Sequence, residues 1–153
     1  MKHLSTIMIA AMAGAFAVSM IAPSGFAQDA MSAWKQRSDL MKSNAKANGA
    51  IAKSSNAKEI ADNAKTIQDN AQKLANPSLW PANSNVGDSL AKPEIWKNMS
   101  DFTAKLQDLQ KASAQLVTVA GKGDVQAAKD QHKAVAAACG ACHKAYRNEP
   151  KKK

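Results

Sequence analysis

At 153 residues, 45% of them hydrophobic and 22% charged, the chain has the apolar content for one modest core and too much of it to stay disordered. Aromatic residues make up only 5% and β-branched runs are missing, which excludes a β-sandwich or barrel. The formal net charge is +9, and no repeat of about 20 to 50 residues recurs, which excludes a solenoid.

The chain opens with Lys2 and His3, an apolar run from Ile7 to Ala22, then Pro23 and the small-residue pattern Gly25-Phe26-Ala27 before polar Gln28. This is the build of a secretory signal peptide over residues 1–27, cut after Ala27. The apolar run falls short of the ~20 residues that a membrane-spanning helix needs, so no membrane association is expected after cleavage. Residues 28–153 are left to form a single domain.

Four helical segments account for nearly all of that domain. The first is expected from Asp29 to Ala52, with Ala30, Ala33, Trp34, Arg37, Met41 and Ala45 recurring on one side. The second opens at Asn56, where Asn-x-x-Glu to Glu59 resembles a capping box, and it ends at Pro77. Its stripe of Ile60, Ala64, Ile67, Ala71 and Leu74 steps by four and three, the seam of a bundle helix. From Asn76 to Lys92 the chain is rich in Asn, Ser, Pro and Gly around Trp80, which reads as a long ordered crossover. Pro93 suits the first turn of a third helix, whose stripe runs Ile95, Met99, Phe102, Leu106, Leu109, Leu116 and Ala120 until Gly121 and Gly123 stop it. Asp124 then caps a fourth helix carrying Val125, Ala128, His132, Val135, Cys139, Cys142 and Tyr146 at core spacing, fading before Pro150. Four amphipathic helices with two short links and one crossover predict an all-α fold, an antiparallel four-helix bundle.

The fourth segment also holds the only two cysteines of the chain. Cys139, Cys142 and His143 form C-x-x-C-H, the pattern that attaches a c-type haem. Two thiols three residues apart on a helix project from one face and can add to the two vinyl groups along one porphyrin edge. His143 shares that face with Cys139 and can present its imidazole to the iron. A thioredoxin-like redox pair belongs at the start of a helix, where the terminus lowers a thiol's pKa, whereas this pair comes late in an Ala-rich run. A structural zinc needs about four ligands, and beyond the signal the chain adds only His132 to these three. A plain disulfide is the blander reading, which an oxidising compartment permits. Cofactors in bundles sit between facing helices, so the haem is expected toward the C-terminal end of the fourth helix, walled by the first and third. Ala136, Ala137, Ala138, Gly140 and Ala141 are expected to let that helix approach the macrocycle closely, although Ala also simply favours helix.

Arg37-x-x-x-Met41-Lys42 near the start, Lys92-Pro93-Glu94-Ile95-Trp96 in the middle and Cys139-Gly140-Ala141-Cys142-His143-Lys144-Ala145-Tyr146-Arg147 at the end together resemble the class II c-type cytochromes, the cytochrome c′ family. Leu40-Met41-Lys42-Ser43-Asn44, followed by Gly49-Ala50-Ile51-Ala52-Lys53, is most similar to the low-spin cytochrome c-556 subgroup. The resemblance implies a four-helix bundle with one haem c bound through Cys139 and Cys142. It further implies His143 as the proximal iron ligand, the first-helix methionine Met41 as the sixth, and Arg37 near a haem propionate.

The sixth ligand can also be approached from the residues. His132 precedes His143 by about 16 Å along one helix, so it cannot reach the opposite face of the same haem and reads as a core or boundary histidine. Where the family usually has an apolar residue, it makes the core locally polar. Met31 lies near a fraying terminus and Met99 belongs to a regular core stripe, which leaves Met41. Its two readings are iron ligand and gap-filling core residue. Arg37, one turn earlier, is either a bidentate partner of a propionate or a solvated helix charge.

These readings lead to a periplasmic electron-transfer cytochrome with His and Met ligands, and to a five-coordinate cytochrome c′ binding NO or CO as the alternative. No activated nucleophile or carboxylate pair points to an enzyme. The basic tail Lys151 to Lys153, with Lys144 and Arg147, is either solvated or steers an acidic redox partner protein. Nucleic acid is not an expected partner, and the protein is expected as a monomer or homodimer.

Overall fold

The computed structural model describes residues 24–150. All but Ser24 to Ala27 of the expected signal segment lies outside the described residues. Helix α1 spans Ser24–Lys53 and so runs through the expected cleavage point. Helix α2 spans Ala57–Leu74, and a 3₁₀ turn at Pro77–Leu79 opens the crossover. A single-turn helix α3 at Glu94–Lys97 precedes α4, Met99–Ala120, and α5, Val125–Tyr146. The long helices α1, α2, α4 and α5 form an antiparallel four-helix bundle, as the periodicity predicts.

The helix ends follow local chemistry. Asn56 Oδ1 accepts the Glu59 N–H at 3.1 Å, one half of a capping box. The Glu59 carboxylate accepts instead from the Ser54 hydroxyl at 2.6 Å, and Ser54 Oγ accepts the Asn56 N–H at 3.0 Å. The hydroxyl is thus inserted into the reciprocal half of the box. Asp124 Oδ1 caps α5 by accepting the Ala127 N–H at 2.9 Å. At the far end of α1, Lys129 Nζ donates to the carbonyls of Ile51 and Ala52, supplying a cation where the helix dipole is negative.

Two apolar clusters fill the bundle. One gathers Ala47, Ile51, Ile60, Ala64, Ile67, Leu116, Ala120, Ala128 and Val135 around the α1–α2 and α4–α5 links. The other, at the opposite end, is aromatic: Leu74, Trp80, Ile95, Phe102, Leu106, Cys142 and Tyr146. Helices α2 and α4 pack along most of their length, α1 lies on α2 and α5 on α4, while α1 and α5 touch only sparsely. That splay opens the interior between α1 and α5.

Two sequence readings are corrected. The third helix does not run unbroken from Pro93: at Asn98 the backbone leaves the helical region (φ −128°, ψ 47°) and separates α3 from α4. The Trp96 indole N–H donates to the carbonyls of Trp80 and Pro81, both at 3.0 Å, so α3 is fastened to the crossover and the chain turns at Asn98 to enter the bundle. The small residues of α5 do not line the interior either. Burial of Ala128, Val135, Cys142 and Tyr146 sets the helix phase and turns Ala136, Ala137, Gly140 and Ala141 to solvent, leaving only Ala138 packed inward.

The crossover is ordered, with Trp80 and Ser84 buried. It adopts left-handed backbone at Asn83 and Gly87 (φ 60° and 59°). Its last residues pair with the chain that leaves α5. Lys92 N–H donates to Tyr146 O at 3.0 Å and Asn148 N–H to Leu90 O at 2.8 Å, framing an antiparallel bridge between Ala91 and Arg147.

Candidate haem site

Between α1 and α5 lies a cavity of about 640 Å³, within the range of about 300 to 1,000 Å³ usual for ligand and cofactor sites. Helix α1 contributes Trp34, Arg37, Met41, Asn44, Ala45 and Asn48 to its wall; α4 contributes Phe102, Leu106 and Leu109. Helix α5 contributes Cys139, Cys142, His143 and Tyr146, and the crossover closes one end with Ser89, Leu90 and Ala91. The structure therefore brings Arg37, Met41, Cys139, Cys142 and His143 to one cavity at the predicted end of the bundle. Four of the six stripe residues read on the first helix, Trp34, Arg37, Met41 and Ala45, line the cavity, whereas Ala47 and Ile51 are buried against Ile60, Ala64 and Ile67 of α2.

Both cysteines are free thiols. Burial pushes the Cys142 thiol up to about 11 and raises Cys139 in the same direction, so each is held as S–H. His143 stands at the rim; desolvation of its ring, and then the charge of Arg147, lower its pKa, which favours the neutral imidazole a metal requires. Met41 is half-buried on the facing wall and packs against the aromatic cluster. Met31 is exposed and Met99 packs on the same cluster without lining the cavity.

Arg37 is only 4% exposed. Its Nη1 donates to Leu79 O at 2.5 Å and to Ser84 Oγ at 3.0 Å, and Nη2 donates to Ser84 O at 2.7 Å. The guanidinium also stacks on Trp80, 4.5 Å from the ring centroid. Burial pushes its pKa down to about 10, which leaves it charged at neutral pH. Sequence reading offered a propionate partner or a solvated charge; the structure gives this side chain a third task, tying the crossover to α1. Three of five N–H donors are so used, and Arg37 also lines the cavity.

Sequence reading put Phe102 and Tyr146 in core stripes and Trp80 in the crossover, but not their packing on one another, and it did not name Asp101, Asn44 or Asn48 as site residues. Trp80 meets Phe102 edge-on at 4.5 Å between centroids, and Phe102 meets Tyr146 at 5.2 Å. The Tyr146 hydroxyl donates to Asp101 Oδ2 at 2.5 Å. Asn44 and Asn48 line the cavity and follow Met41 at helical spacing, a signal hidden by their polarity. His132 is no cavity residue; it bonds Asn48 Oδ1 at 2.7 Å, in keeping with the boundary role read for it.

The donor set fits a c-type haem: two protonated thiols one turn apart, a neutral imidazole beside them, and a thioether facing them across a largely apolar cavity. Among the described residues no three His, Cys, Asp or Glu side chains converge as a metal-binding group. The fold and site together define a helical-bundle c-type cytochrome. The chain belongs to the cytochrome c′ family, whose model, described as Cytochrome C′, matches residues 26–147. A cytochrome c-554 of Cereibacter sphaeroides is 36% identical over 77 residues, 48% of this chain and 57% of that protein. A cytochrome c-556 of Agrobacterium tumefaciens is 38% identical over 73 residues, 48% of this chain and 58% of that one. The chain thus spans a little over half the length of these curated relatives. The crystal structure of cytochrome c′ from Thermochromatium tepidum superimposes with a TM-score of 0.72 at 26% identity, covering 78% of this chain and 97% of that one. Membership implies haem c.

Proposed function

We propose that residues 28–153, exported to the periplasm after loss of residues 1–27, form a single-haem electron-transfer cytochrome with His143 and Met41 as axial ligands. The observation that carries this reading is that Met41 and His143 line one cavity from helices facing each other across it. Cys139 and Cys142 would hold the cofactor to α5 through two thioethers, each S–H adding across one vinyl group. When bound, haem supplies a one-electron ferric/ferrous couple. His143 of α5 would hold the iron through its neutral imidazole, and Met41 of α1 would supply a soft sulfur that favours the reduced state and keeps exogenous ligands out. The apolar wall of Phe102, Leu106 and Leu109 keeps water from the site. Arg37 would offer its two unused donors to a propionate. Lys42, Lys105 and Arg147 at the cavity lining give an acidic redox protein its docking edge, for a monomer or a homodimer. No catalytic turnover is part of this reading.

The likeness to solved cytochrome c′ along nearly its whole length favours a second reading, a five-coordinate site that binds NO or CO with Met41 as packing. One variant separates them. If Met41 is a ligand, wild-type protein is low-spin and inert to carbon monoxide, and Met41→Ala turns it high-spin, opens it to carbon monoxide and lowers its midpoint potential. Rapid carbon monoxide binding by the wild type would instead establish the second reading.

A further inference from the structure

The α1 wall of the cavity carries two carboxamides one turn apart, Asn44 and Asn48, and each has its oxygen taken from behind. Asn70 on α2 donates from Nδ2 to Asn44 Oδ1 at 2.9 Å and to Ser43 Oγ at 3.0 Å. Asn44 and Asn70 are 8% and 6% exposed. On the other side, His132 of α5 meets Asn48 Oδ1 at 2.7 Å; a carbonyl oxygen only accepts, so Nε2 carries the proton. With both oxygens held, both NH₂ groups point away from those partners, and both residues line the cavity. Among the described residues no acceptor takes either Nδ2. Neither Nδ2 is a buried atom without a partner, so each stays open on the side of the cavity that both residues line, free to donate to an electron-rich group there.

We propose that Asn44 and Asn48 are a pair of oriented hydrogen-bond donors to the haem cavity, aimed by Asn70 and His132, that raise the reduction potential of the bound cofactor. The inference rests on the haem reading above. With a haem in the cavity, the positive ends of two fixed amide dipoles would lie beside a group that gains an electron on reduction, so the donors would stabilise the ferrous state more than the ferric one. Desolvation of His132, and then the charge of Lys129, lower its pKa, which keeps it the neutral, Nε2–H form that this geometry uses. His132 and Asn70 are positioning residues, acting only through the amide each one orients.

The test is spectroelectrochemistry on purified holoprotein. In Asn44→Leu with Asn48→Leu, the absorption spectrum should stay that of the wild type, while the ferrous to ferric ratio at a fixed applied potential falls on the order of tenfold, about 59 mV for a one-electron couple. His132→Leu should give part of that fall and His132→Gln, whose amide restores an N–H to Asn48, should recover it. Should the double variant fail to fold, the Leu and Gln pair at His132 decides alone. Nitrogen-15 NMR of the reduced protein should show His132 as the Nε2–H tautomer. An unchanged potential with an intact spectrum, or an Nδ1–H tautomer at His132, overturns the inference while leaving the haem reading standing. A wild-type protein that carries no haem removes both.

Discussion

Arg37 reaches the crossover across a long stretch of chain, and its donors satisfy the carbonyls of Leu79 and Ser84. Arg37→Met keeps the stem but strands those buried acceptors, and should cost about 2 to 3 kcal/mol in chemical denaturation. Arg37→Lys should recover little, because one ammonium cannot reproduce a planar fork stacked on Trp80. Tyr146 offers a pH test. Its ring is buried while its hydroxyl emerges to donate to Asp101, and that hydrogen bond, before desolvation, pushes its pKa up to about 12 from 10.0. The folded value exceeds the unfolded one, so the contribution to stability is complete below pH 10 and is lost as pH rises from there toward 12. Stability curves of wild type and Tyr146→Phe should therefore converge across that window, and ultraviolet titration of tyrosinate should give its midpoint near 12. That Cys139, Cys142 and His143 share one cavity was legible in the sequence, because local spacing puts them on one face of a helix. Ser84, Asn70 and Asp101 were not, because each acquires its role from a partner distant in the chain.

The long helices could be read from their stripes and caps, since a period of three and four and an Asn or Asp before the first turn are local facts. The break at Asn98 could not, because it follows from the Trp96 indole reaching carbonyls of the crossover. The outward turn of Ala136, Ala137, Gly140 and Ala141 was legible in the stripe of Ala128, Val135, Cys142 and Tyr146, whose phase leaves those small residues on the other face. The crossover itself is tested at Gly87, whose φ of 59° is left-handed and whose Cβ position would lie 3.4 Å from the Trp34 ring. That distance is ordinary contact, so Gly87→Ala should cost only the backbone term, about 1 to 2 kcal/mol, seen as a lower thermal midpoint with the absorption spectrum unchanged. A larger loss, or a changed spectrum, would mean that Trp34 is displaced and the cavity wall with it.

For the molecule as a whole, charge and closure are the two properties that act beyond the site. Residues 28–153 lack Lys2 and so carry 20 basic and 12 acidic side chains, a formal +8 before the haem propionates; electron exchange with a small anionic reductant should therefore slow as ionic strength rises, and exchange with a cationic one should quicken. Equal salt dependence for both would remove the basic edge from the docking scheme. Closure rests on the pairing of Leu90, Ala91 and Lys92 with Tyr146, Arg147 and Asn148. It joins the end of the crossover to the residues just past the haem-attachment pattern, two stretches that neither helical hairpin holds together. The pairing is short and at the surface, so it should open at a lower free energy than the helices it bridges. In deuterated water the amides of Lys92 and Asn148 should exchange ahead of those in α2 and α4. Each such opening would unlatch the edge at Ser89 to Ala91, so the opening rate, which these two amides report where intrinsic exchange outpaces reclosing, sets an upper bound on how often outside molecules reach the cavity by that door.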